Sequence, residues 1–211
     1  MPHLWGRLTS INVRKVAWAV GELGLDLPRT DAGREFGVVN TSEYQALNPN
    51  ALVPTLQDGD LVLWESNVIV RYLCARYGNL RGRDTGLYPQ DLAQRFDAER
   101  WMDWQQTTFN PAGRGAFMQL IRTPLEQRQS AVIAQSQEQT YALLAQLDAH
   151  LQERLYLCGE RFTMADIPLG CEMHRWYGLP LEHPRFAAVE AWFDRLRQRP
   201  AAHAILTMPL G

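Results

Sequence analysis

The fold is decided by the stretch Asn48-Pro49-Asn50-Ala51-Leu52-Val53-Pro54-Thr55-Leu56-Gln57-Asp58-Gly59-Asp60-Leu61-Val62-Leu63-Trp64-Glu65-Ser66. Two short apolar runs, at 55–57 and 61–64, flank the turn residues Asp58-Gly59-Asp60. A glycine-containing turn between two runs of strand-forming residues predicts a β-hairpin. Pro54 stands directly before the first run, where a strand partner does not need the N–H that proline lacks.

A helix is predicted directly after this hairpin. Apolar residues recur near helical spacing at Val68, Ile69, Tyr72 and Leu73, which is the pattern of a helix with one buried face. Ser66 opens the pattern and is a residue type that favours the N-cap position. The stretch therefore leads from a strand pair straight into a helix.

The residues before the hairpin alternate between strand and helix patterns. We predict a strand at His3 to Trp5, a helix at 13–23, a weak edge strand at 25–30 and a short helix at 41–47. Alternating strands and helices that finish with a hairpin and a helix predict a small α/β layer with a mixed, four-stranded sheet. This layer is expected to occupy residues 1–80.

The second half of the chain has no strand signals. Residues 81–90, rich in Gly, Arg, Asp and Pro, are predicted to be a linker, and residues 91–211 an all-helical domain. The first long helix is expected to bend or end near Pro111, and the last to run from about 185 to 198, where Pro200 stops it.

A capping box is predicted at Thr163-Met164-Ala165-Asp166. The Thr163 hydroxyl is expected to accept from the N–H of Asp166, while the Asp166 carboxylate accepts from the N–H of Thr163. We therefore assign Asp166 to folding.

Composition limits the possible partners. The chain has 211 residues, 46% of them hydrophobic, and a formal charge of -2, which gives no electrostatic reason to expect nucleic acid or an anionic membrane. No apolar run reaches the length of a transmembrane helix, and the N-terminus lacks a signal-peptide pattern. The three cysteines have no metal-ligand spacing. We expect a cytoplasmic protein without a metal site.

Four pieces of the sequence occur in an order that is typical of one family. They are Ser10 to Val16, Asn48 to Pro54, Leu63 to Tyr72 and Phe162 to Asp166. Together they make the chain resemble the cytosolic glutathione transferases, and the Ser-x-Asn loop is most similar to bacterial classes close to theta and nu. The resemblance implies a thioredoxin-like N-terminal domain, a helical domain that forms the second-substrate pocket, a role in detoxification and a homodimer.

The resemblance also implies where the co-substrate glutathione would bind. Leu52, Val53 and Pro54 would hold the cysteinyl amide through the backbone, with a cis Val53–Pro54 bond. Ser66 at a helix start suits the γ-glutamyl α-carboxylate, because a helix N-terminus favours anions. Glu65 would pair with the ammonium group. Alternatively, Ser66 only caps its helix, and Glu65 is only an acidic side chain of the kind that is common in a first helical turn. Pro54 could likewise be an ordinary trans proline at a strand edge.

The thiol must lose its proton before it can attack. Ser10 matches the theta-type serine and is predicted to be the main donor to the thiolate, with Asn12, matching the nu-type asparagine, as the second. Thr9 is the rival of Ser10. Alternatively Ser10 or Asn12 is merely the N-cap of the first helix. The loop contains no Tyr or Cys, which disfavours tyrosine-type or cysteine-type chemistry.

The second-substrate pocket is expected between the Ser10 loop and the helix around 101–117. The candidate lining residues are Trp104, Thr108, Arg114 and Phe117, although each could instead belong to the core or the surface. An apolar, aromatic-lined cleft would suit hydrophobic electrophiles. Many relatives have Lys, Gln or His before the Val-Pro pair for the glycyl carboxylate, whereas this chain has Asn50-Ala51-Leu52. Asn50 or Arg34 are the alternatives for that contact.

Three functions follow from these residues. The main hypothesis is a transferase that joins glutathione to a small hydrophobic electrophile. The alternatives are a nu-like, glutathione-dependent disulfide or peroxide reductase, and a non-catalytic protein with the same fold that binds ligands or partner proteins.

Overall fold

The computed structural model describes residues 2–79 and 84–211. The first part of the predicted linker at 81–90 therefore lies outside the described residues. Met1 and the domain boundary predicted at residue 80 lie outside them as well. The positions of the two domain boundaries stay predictions.

A four-stranded mixed sheet organises the first half of the chain, as predicted. Its strands are β1 (His3–Trp5), β2 (Arg29–Thr30), β3 (Thr55–Asp58) and β4 (Leu61–Trp64), in the spatial order β2-β1-β3-β4. Strand β1 is parallel to β2 and antiparallel to β3, which pairs antiparallel with β4 in the predicted hairpin. Strand β2 is an edge strand, but it is shorter than the predicted 25–30. Pro28 precedes it and contributes only its carbonyl, which accepts from the N–H of Leu4 (2.9 Å).

Helices cover this sheet and build the second half. They are α1 (Ile11–Leu23), α2 (Ser42–Leu47), α3 (Ser66–Tyr77), α4 (Leu92–Trp104), α5 (Asn110–Phe117), α6 (Ser130–Leu151), α7 (Asp166–Tyr177), α8 (Ala187–Arg197) and α9 (Pro200–Leu206). Helix α1 packs against α3 on one side and against α7 and α9 on the other. Its buried residues Val13, Val16 and Trp18 belong to one core that is continuous between both halves.

The helical chain continues past Pro111, where a bend or an end was predicted. A π-helical turn at Gln105–Phe109 comes directly before α5, and a second one at Met118–Arg122 follows it. A π turn accommodates one extra residue, and here it stands where proline removes a backbone donor. Because the turn widens at this point, the helix continues instead of ending.

The prediction for the C-terminus was also wrong, because α8 is not the last helix. Pro200 ends α8 but opens α9 as its first residue. Proline is favoured at the first helical position, since its missing N–H has no partner there in any case.

The capping box before α7 has a different hydrogen-bond pattern from the predicted one. The N–H of Thr163 donates to Asp166 Oδ2 (2.9 Å), as expected. The Thr163 hydroxyl, however, accepts from the N–H of Ala165 (3.3 Å) and not from that of Asp166. Asp166 Oδ1 also accepts from the N–H of Leu157 (3.0 Å) and from Trp192 Nε1 (2.9 Å). This fully buried carboxylate therefore ties three segments together and does more than cap one helix.

Candidate active site

The Val53–Pro54 segment presents free backbone groups. The bond is cis, as the resemblance implied. The preceding carbonyl, that of Leu52, accepts from the Tyr44 hydroxyl (2.7 Å) and from Asn48 Nδ2 (2.9 Å). Within residues 2–79 and 84–211, the N–H and C=O of Val53 make no hydrogen bond. The segment is thus fixed at Leu52 while the backbone of Val53 stays available to an extended ligand.

Helix α3 begins beside this segment. Glu65 is the N-cap and Ser66 the first helical residue, so the helix begins one position earlier than predicted. The Glu65 side chain does not cap the helix, and the Ser66 hydroxyl donates to Asn12 Oδ1 (3.3 Å). Since neither side chain satisfies the N–H groups of the first turn, these donors can receive an anion.

Glu65 has a strained backbone, with φ +70°. Such a conformation costs a residue other than glycine on the order of 1–3 kcal/mol and is concentrated at functional sites. This strain could not be predicted from the residues, because Glu-Ser looks like an ordinary helix start. The Glu65 side chain is exposed and does not cap the helix it precedes.

Ser10 occupies the N-cap position of α1 with extended backbone angles (φ -85°, ψ 123°), but its hydroxyl makes no capping hydrogen bond. Its backbone carbonyl accepts the N–H of Arg14 (3.0 Å) in the ordinary way. Ser10 lines the same cavity as Thr9. Ser10 therefore sits at the helix N-terminus with a donor that the helix does not use.

Asn12 lies between the two parts of the site. Its side-chain oxygen is engaged by the Ser66 hydroxyl, which brings together the N-termini of α1 and α3. The predicted role of Asn12 as second donor to the thiolate stays a prediction.

A buried polar network lies behind these residues. Lys15 has no solvent exposure, and its Nζ donates to Gln105 Oε1 (3.1 Å) and to Gln106 Oε1 (3.4 Å). Gln105 also accepts from Asn67 Nδ2 (3.0 Å) and donates to Glu172 Oε1 (2.9 Å). Four elements, α1, α3, the first π turn and α7, are thereby connected by hydrogen bonds.

The network contains a buried ammonium group. Glu172 is paired with Arg175 and is linked to Lys15 through Gln105. Burial lowers the pKa of Lys15 to about 8, although the nearby carboxylates of Glu172 and Glu65 oppose this shift. Lys15, the sole lysine of the sequence, was the signal that sequence reasoning left unused.

A cavity of about 120 Å³ opens beside Ser10. It is lined by Arg7, Thr9, Ser10, Ile11, Arg14, Phe117, Arg122, Cys171, His174, Arg175, Leu210 and Gly211. Of the four predicted lining residues, Phe117 is the one that this cavity contains. Basic side chains from α1, α7 and the second π turn converge here beside the ring of Phe117, and the expectation of an apolar, aromatic-lined cleft stays a prediction.

The other three predicted lining residues lie elsewhere. Trp104 lines a separate cleft of about 380 Å³ together with Trp101 and His150. Thr108 and Arg114 are exposed and do not line the Ser10 cavity.

The described residues contain no group of three or more His, Cys, Asp or Glu that could hold a metal ion. Within the same residues, no helix has both the length and the apolar character needed to cross a membrane. Burial raises the pKa values of Cys74, Cys158 and Cys171 to about 12. These thiols are protonated at neutral pH, which makes them poor nucleophiles.

Two family models match the chain. The model described as "Glutathione S-transferase, N-terminal domain" matches residues 2–75, and "Glutathione S-transferase, C-terminal domain" matches residues 109–200. Among curated proteins, "Glutathione S-transferase GstB" of Escherichia coli strain K12 is 40% identical over 213 residues, covering 100% of both chains. "Glutathione S-transferase 3" of Zea mays is 32% identical and covers 94% of this chain and 90% of the relative.

Solved structures show the same similarity. The theta class glutathione S-transferase from the citrus canker pathogen Xanthomonas axonopodis pv. citri, with glutathione bound, is 45% identical with a TM-score of 0.93, covering 100% of this chain and 99% of that one. Its apo form has a TM-score of 0.85. The resemblance stated from the four sequence pieces is confirmed, and so is the expected pairing of a mixed-sheet domain with a helical one.

Proposed function

The chain belongs to the glutathione S-transferase family, and we propose that Ser10 activates the thiol of glutathione for attack on a small electrophile. Glutathione is the co-substrate of this enzyme. The observation that carries the proposal is that Ser10 lines a cavity at the N-terminus of α1 while its hydroxyl does not cap its own helix. The remaining assignments follow from the groups that surround it.

The γ-glutamyl end of glutathione is assigned to the start of α3. Its α-carboxylate would accept from the uncapped N–H groups of the first turn and from the Ser66 hydroxyl, where the helix dipole favours negative charge. The buried ammonium of Lys15, which is connected through Gln105 to Asn67 of the same helix, adds to the attraction. The ammonium of glutathione would pair with the exposed carboxylate of Glu65.

The middle of glutathione is assigned to Val53. Its free N–H and C=O would pair with the cysteinyl amide in the manner of an added strand. This contact uses the main chain alone, so it does not depend on which side chain occupies position 53. Leu52 contributes through its fixed carbonyl, which keeps the segment in place and is not itself free for the ligand.

The glycyl carboxylate is assigned to Arg7, which sequence reasoning did not consider. The guanidinium of Arg7 lies close to Val53. Both border the same point beside Gly33, because a Cβ placed on Gly33 would lie 2.7 Å from Arg7 Nη1 and 3.5 Å from a Val53 methyl carbon. Arg7 Nε is buried without a hydrogen-bond partner. Burial lowers the pKa of Arg7, and the charge of Arg34 lowers it further. Two neighbouring cations without a bound carboxylate suit an anionic end group.

The reaction begins with loss of the thiol proton. A free thiol titrates near ~8.5, so a small fraction is ionised at neutral pH. A hydrogen bond from the Ser10 hydroxyl and the N-terminal dipole of α1 both stabilise the anion and lower its pKa. The thiolate sulfur then forms a bond with the electrophilic carbon while the leaving group departs with its electron pair.

Replacing Ser66 by alanine tests the assignment of the γ-glutamyl end. We expect about tenfold weaker glutathione binding, since a hydrogen bond to a charged group is worth about 1.5–3 kcal/mol. Titration of tryptophan fluorescence with glutathione measures the Kd, and retention on immobilised glutathione gives an independent readout. Ser130→Ala, at the first residue of α6, is the matched control and should bind like the parent protein. Unchanged affinity in Ser66→Ala would remove the proposed seat of the carboxylate.

We also propose that the protein forms a homodimer. Several large apolar side chains are exposed on β4, α3, α4 and the loop before β3: Leu52, Leu61, Trp64, Val68, Leu92 and Phe96. Helices α3 and α4 are held together by Arg71, which donates to the carbonyl of Glu99 (3.2 Å) and pairs with Asp103. Apolar groups gathered on adjoining elements indicate a surface for another protein.

Phe96→Glu is expected to shift the protein from a dimer to its 24.1 kDa monomer. Phe96 is 60% exposed, so the substitution should leave the fold intact while placing a charge in an apolar contact. Size-exclusion chromatography with light scattering measures the mass. Leu125→Glu, at a position that is 76% exposed in another part of the chain, should not change it. A monomeric parent protein would rule out the dimer.

A further inference from the structure

The cavity beside Ser10 is positively charged to an extent that glutathione does not account for. Besides Arg7, its wall contains Arg14, Arg122, His174 and Arg175. Among the residues that the structure describes, no Asp or Glu side chain lines it. A cavity with cationic walls and low-dielectric surroundings concentrates anions.

Arg122 is a cation of this wall that forms no ion pair with the residues that the structure describes and that the glutathione assignments do not use. It ends the π turn at Met118–Arg122, and within 2–79 and 84–211 no carboxylate lies within 4.0 Å of its guanidinium. Its Nε is buried and has no hydrogen-bond acceptor. An unpaired buried donor on a charged group is costly, and a ligand that carries an acceptor would relieve that cost.

The neighbouring cations are already engaged, but they do not remove the excess charge. Arg14 donates to the carbonyls of Leu8 (2.7 Å) and Pro209 (2.5 Å), which leaves its charge unneutralised. Arg175 is paired with Glu172. His174 is bonded through Nε2 to the carbonyl of Met208 (2.8 Å), and burial lowers its pKa, so it is neutral at physiological pH. The wall therefore keeps the charges of Arg14 and Arg122.

The ring of Phe117 supplies a flat apolar surface in the same cavity. The guanidinium carbons of Arg122 and Arg175 lie 5.4 and 5.1 Å from its centre. Both distances are within the range of cation–π contacts, so the ring holds the two side chains in place. The cavity thus combines an apolar face with an unpaired cation, at a volume of about 120 Å³.

We propose that the electrophile taken by this enzyme is a small molecule that carries a carboxylate or an equivalent anionic group, bound by Arg122 and packed against Phe117. The inference rests on the proposed function of Ser10 and goes beyond it by naming the substrate class. With a halogenated nitrobenzoate, the thiolate sulfur of glutathione bonds to the ring carbon that carries chlorine. The carbon–chlorine bond breaks, chloride leaves with the electron pair, and the thiol proton passes to solvent.

Two probes of equal size test the charge preference. They are 4-chloro-3-nitrobenzoate and 4-chloro-3-nitrobenzamide, which differ in charge at one substituent. For each probe, kcat/KM is measured at saturating glutathione and divided by the rate constant of the uncatalysed reaction with glutathione. This ratio, the acceleration, corrects for the different electronic effects of the two substituents. We expect the acceleration to be about tenfold or more greater for the benzoate, the ratio that a charge-assisted contact supports.

Variants at position 122 identify the responsible group. Arg122→Gln should abolish the preference by lowering the acceleration for the benzoate, while that for the benzamide changes less than about twofold. Arg122→Lys, which keeps the charge but loses the planar fork, should keep part of the preference. Arg185→Gln, at a side chain that is 83% exposed and outside the cavity, is the matched control. Thermal unfolding of each variant verifies that it is folded.

Two outcomes would overturn the inference. One is equal or greater acceleration for the benzamide in the parent protein. The other is an equal loss for both probes in Arg122→Gln, which would mean that Arg122 serves the thiolate and not the electrophile.

A binding measurement separates this inference from the proposed function. The unreactive 3-nitrobenzoate and 3-nitrobenzamide are titrated calorimetrically into the protein in the presence of S-methylglutathione. If neither chlorinated probe is conjugated but 3-nitrobenzoate binds more tightly to the parent protein than to Arg122→Gln, the result supports the anion site and contradicts the proposed reaction. If 3-nitrobenzoate and 3-nitrobenzamide bind equally to the parent protein, the result also contradicts the anion site.

Discussion

Ser10→Ala is expected to lower kcat/KM for conjugation at neutral pH by about a hundredfold, the order of loss seen when one donor to a developing anion is removed. The reason is that the Ser10 hydroxyl is the donor at the N-terminus of α1 that makes no bond to its own helix. Without it, the bound thiol should titrate at a higher pH and a smaller fraction should be thiolate. The thiolate absorbance of bound glutathione, followed as a function of pH, measures this directly.

Three comparisons make the Ser10 result specific. Glutathione affinity should change less than about threefold in Ser10→Ala, because the γ-glutamyl and cysteinyl contacts are untouched. Thr9→Val should keep most of the activity if Ser10 is the donor. Asn12→Ala should act mainly on glutathione affinity, since Asn12 is bonded to Ser66. Full activity in Ser10→Ala, combined with loss in Thr9→Val, would transfer the role to Thr9.

Asp166→Ala is expected to reduce the free energy of unfolding by about 4–6 kcal/mol. It would leave the N–H groups of Leu157 and Thr163 and the indole of Trp192 without their acceptor, and each buried unsatisfied donor costs about 1–3 kcal/mol. A simple cap would be worth only about 1 kcal/mol. For a chain of this size the corresponding fall in Tm is on the order of 10–20 °C.

Urea unfolding at pH 7.5 measures this loss while the carboxylate is ionised, since burial raises the pKa of Asp166 to about 6. Asp166→Asn keeps the shape and one acceptor oxygen, so it should be destabilised less than Asp166→Ala. Thr163→Ala removes only the weaker contacts of the hydroxyl (3.3 and 3.4 Å) and should cost about 1 kcal/mol. A loss below about 2 kcal/mol in Asp166→Ala would show that the predicted simple cap was the right description.

The elements that the sequence predicted well are those fixed by neighbouring residues. The β3–β4 hairpin follows from Asp58-Gly59-Asp60 between two apolar runs, and Gly59 has the positive φ (62°) that its turn requires. Gly24 ends α1 in the left-handed conformation (φ 63°), which glycine adopts without steric cost directly after the predicted helix at 13–23. In each case the determining residues lie within a few positions of the element.

The parts that were not predicted from the sequence depend on residues far apart in the chain. Arg122 lines the same cavity as Ser10 although it stands in a π turn of the helical half. Lys15 finds its partner Gln105 across 90 positions. Arg7 stands beside Val53 because the sheet brings β1 next to β3. Periodicity reports one helix face at a time, so it contains no information on which faces meet.

The fully buried ammonium of Lys15 has a consequence for exchanging halves between relatives. Lys15 belongs to the N-terminal half, whereas the groups that solvate it, Gln105 and Glu172, belong to the helical half. A chimera that takes its helical half from a protein with apolar side chains at those positions would inherit an orphaned interior charge. Donor proteins for such grafts should therefore be chosen by these three positions before overall identity is considered.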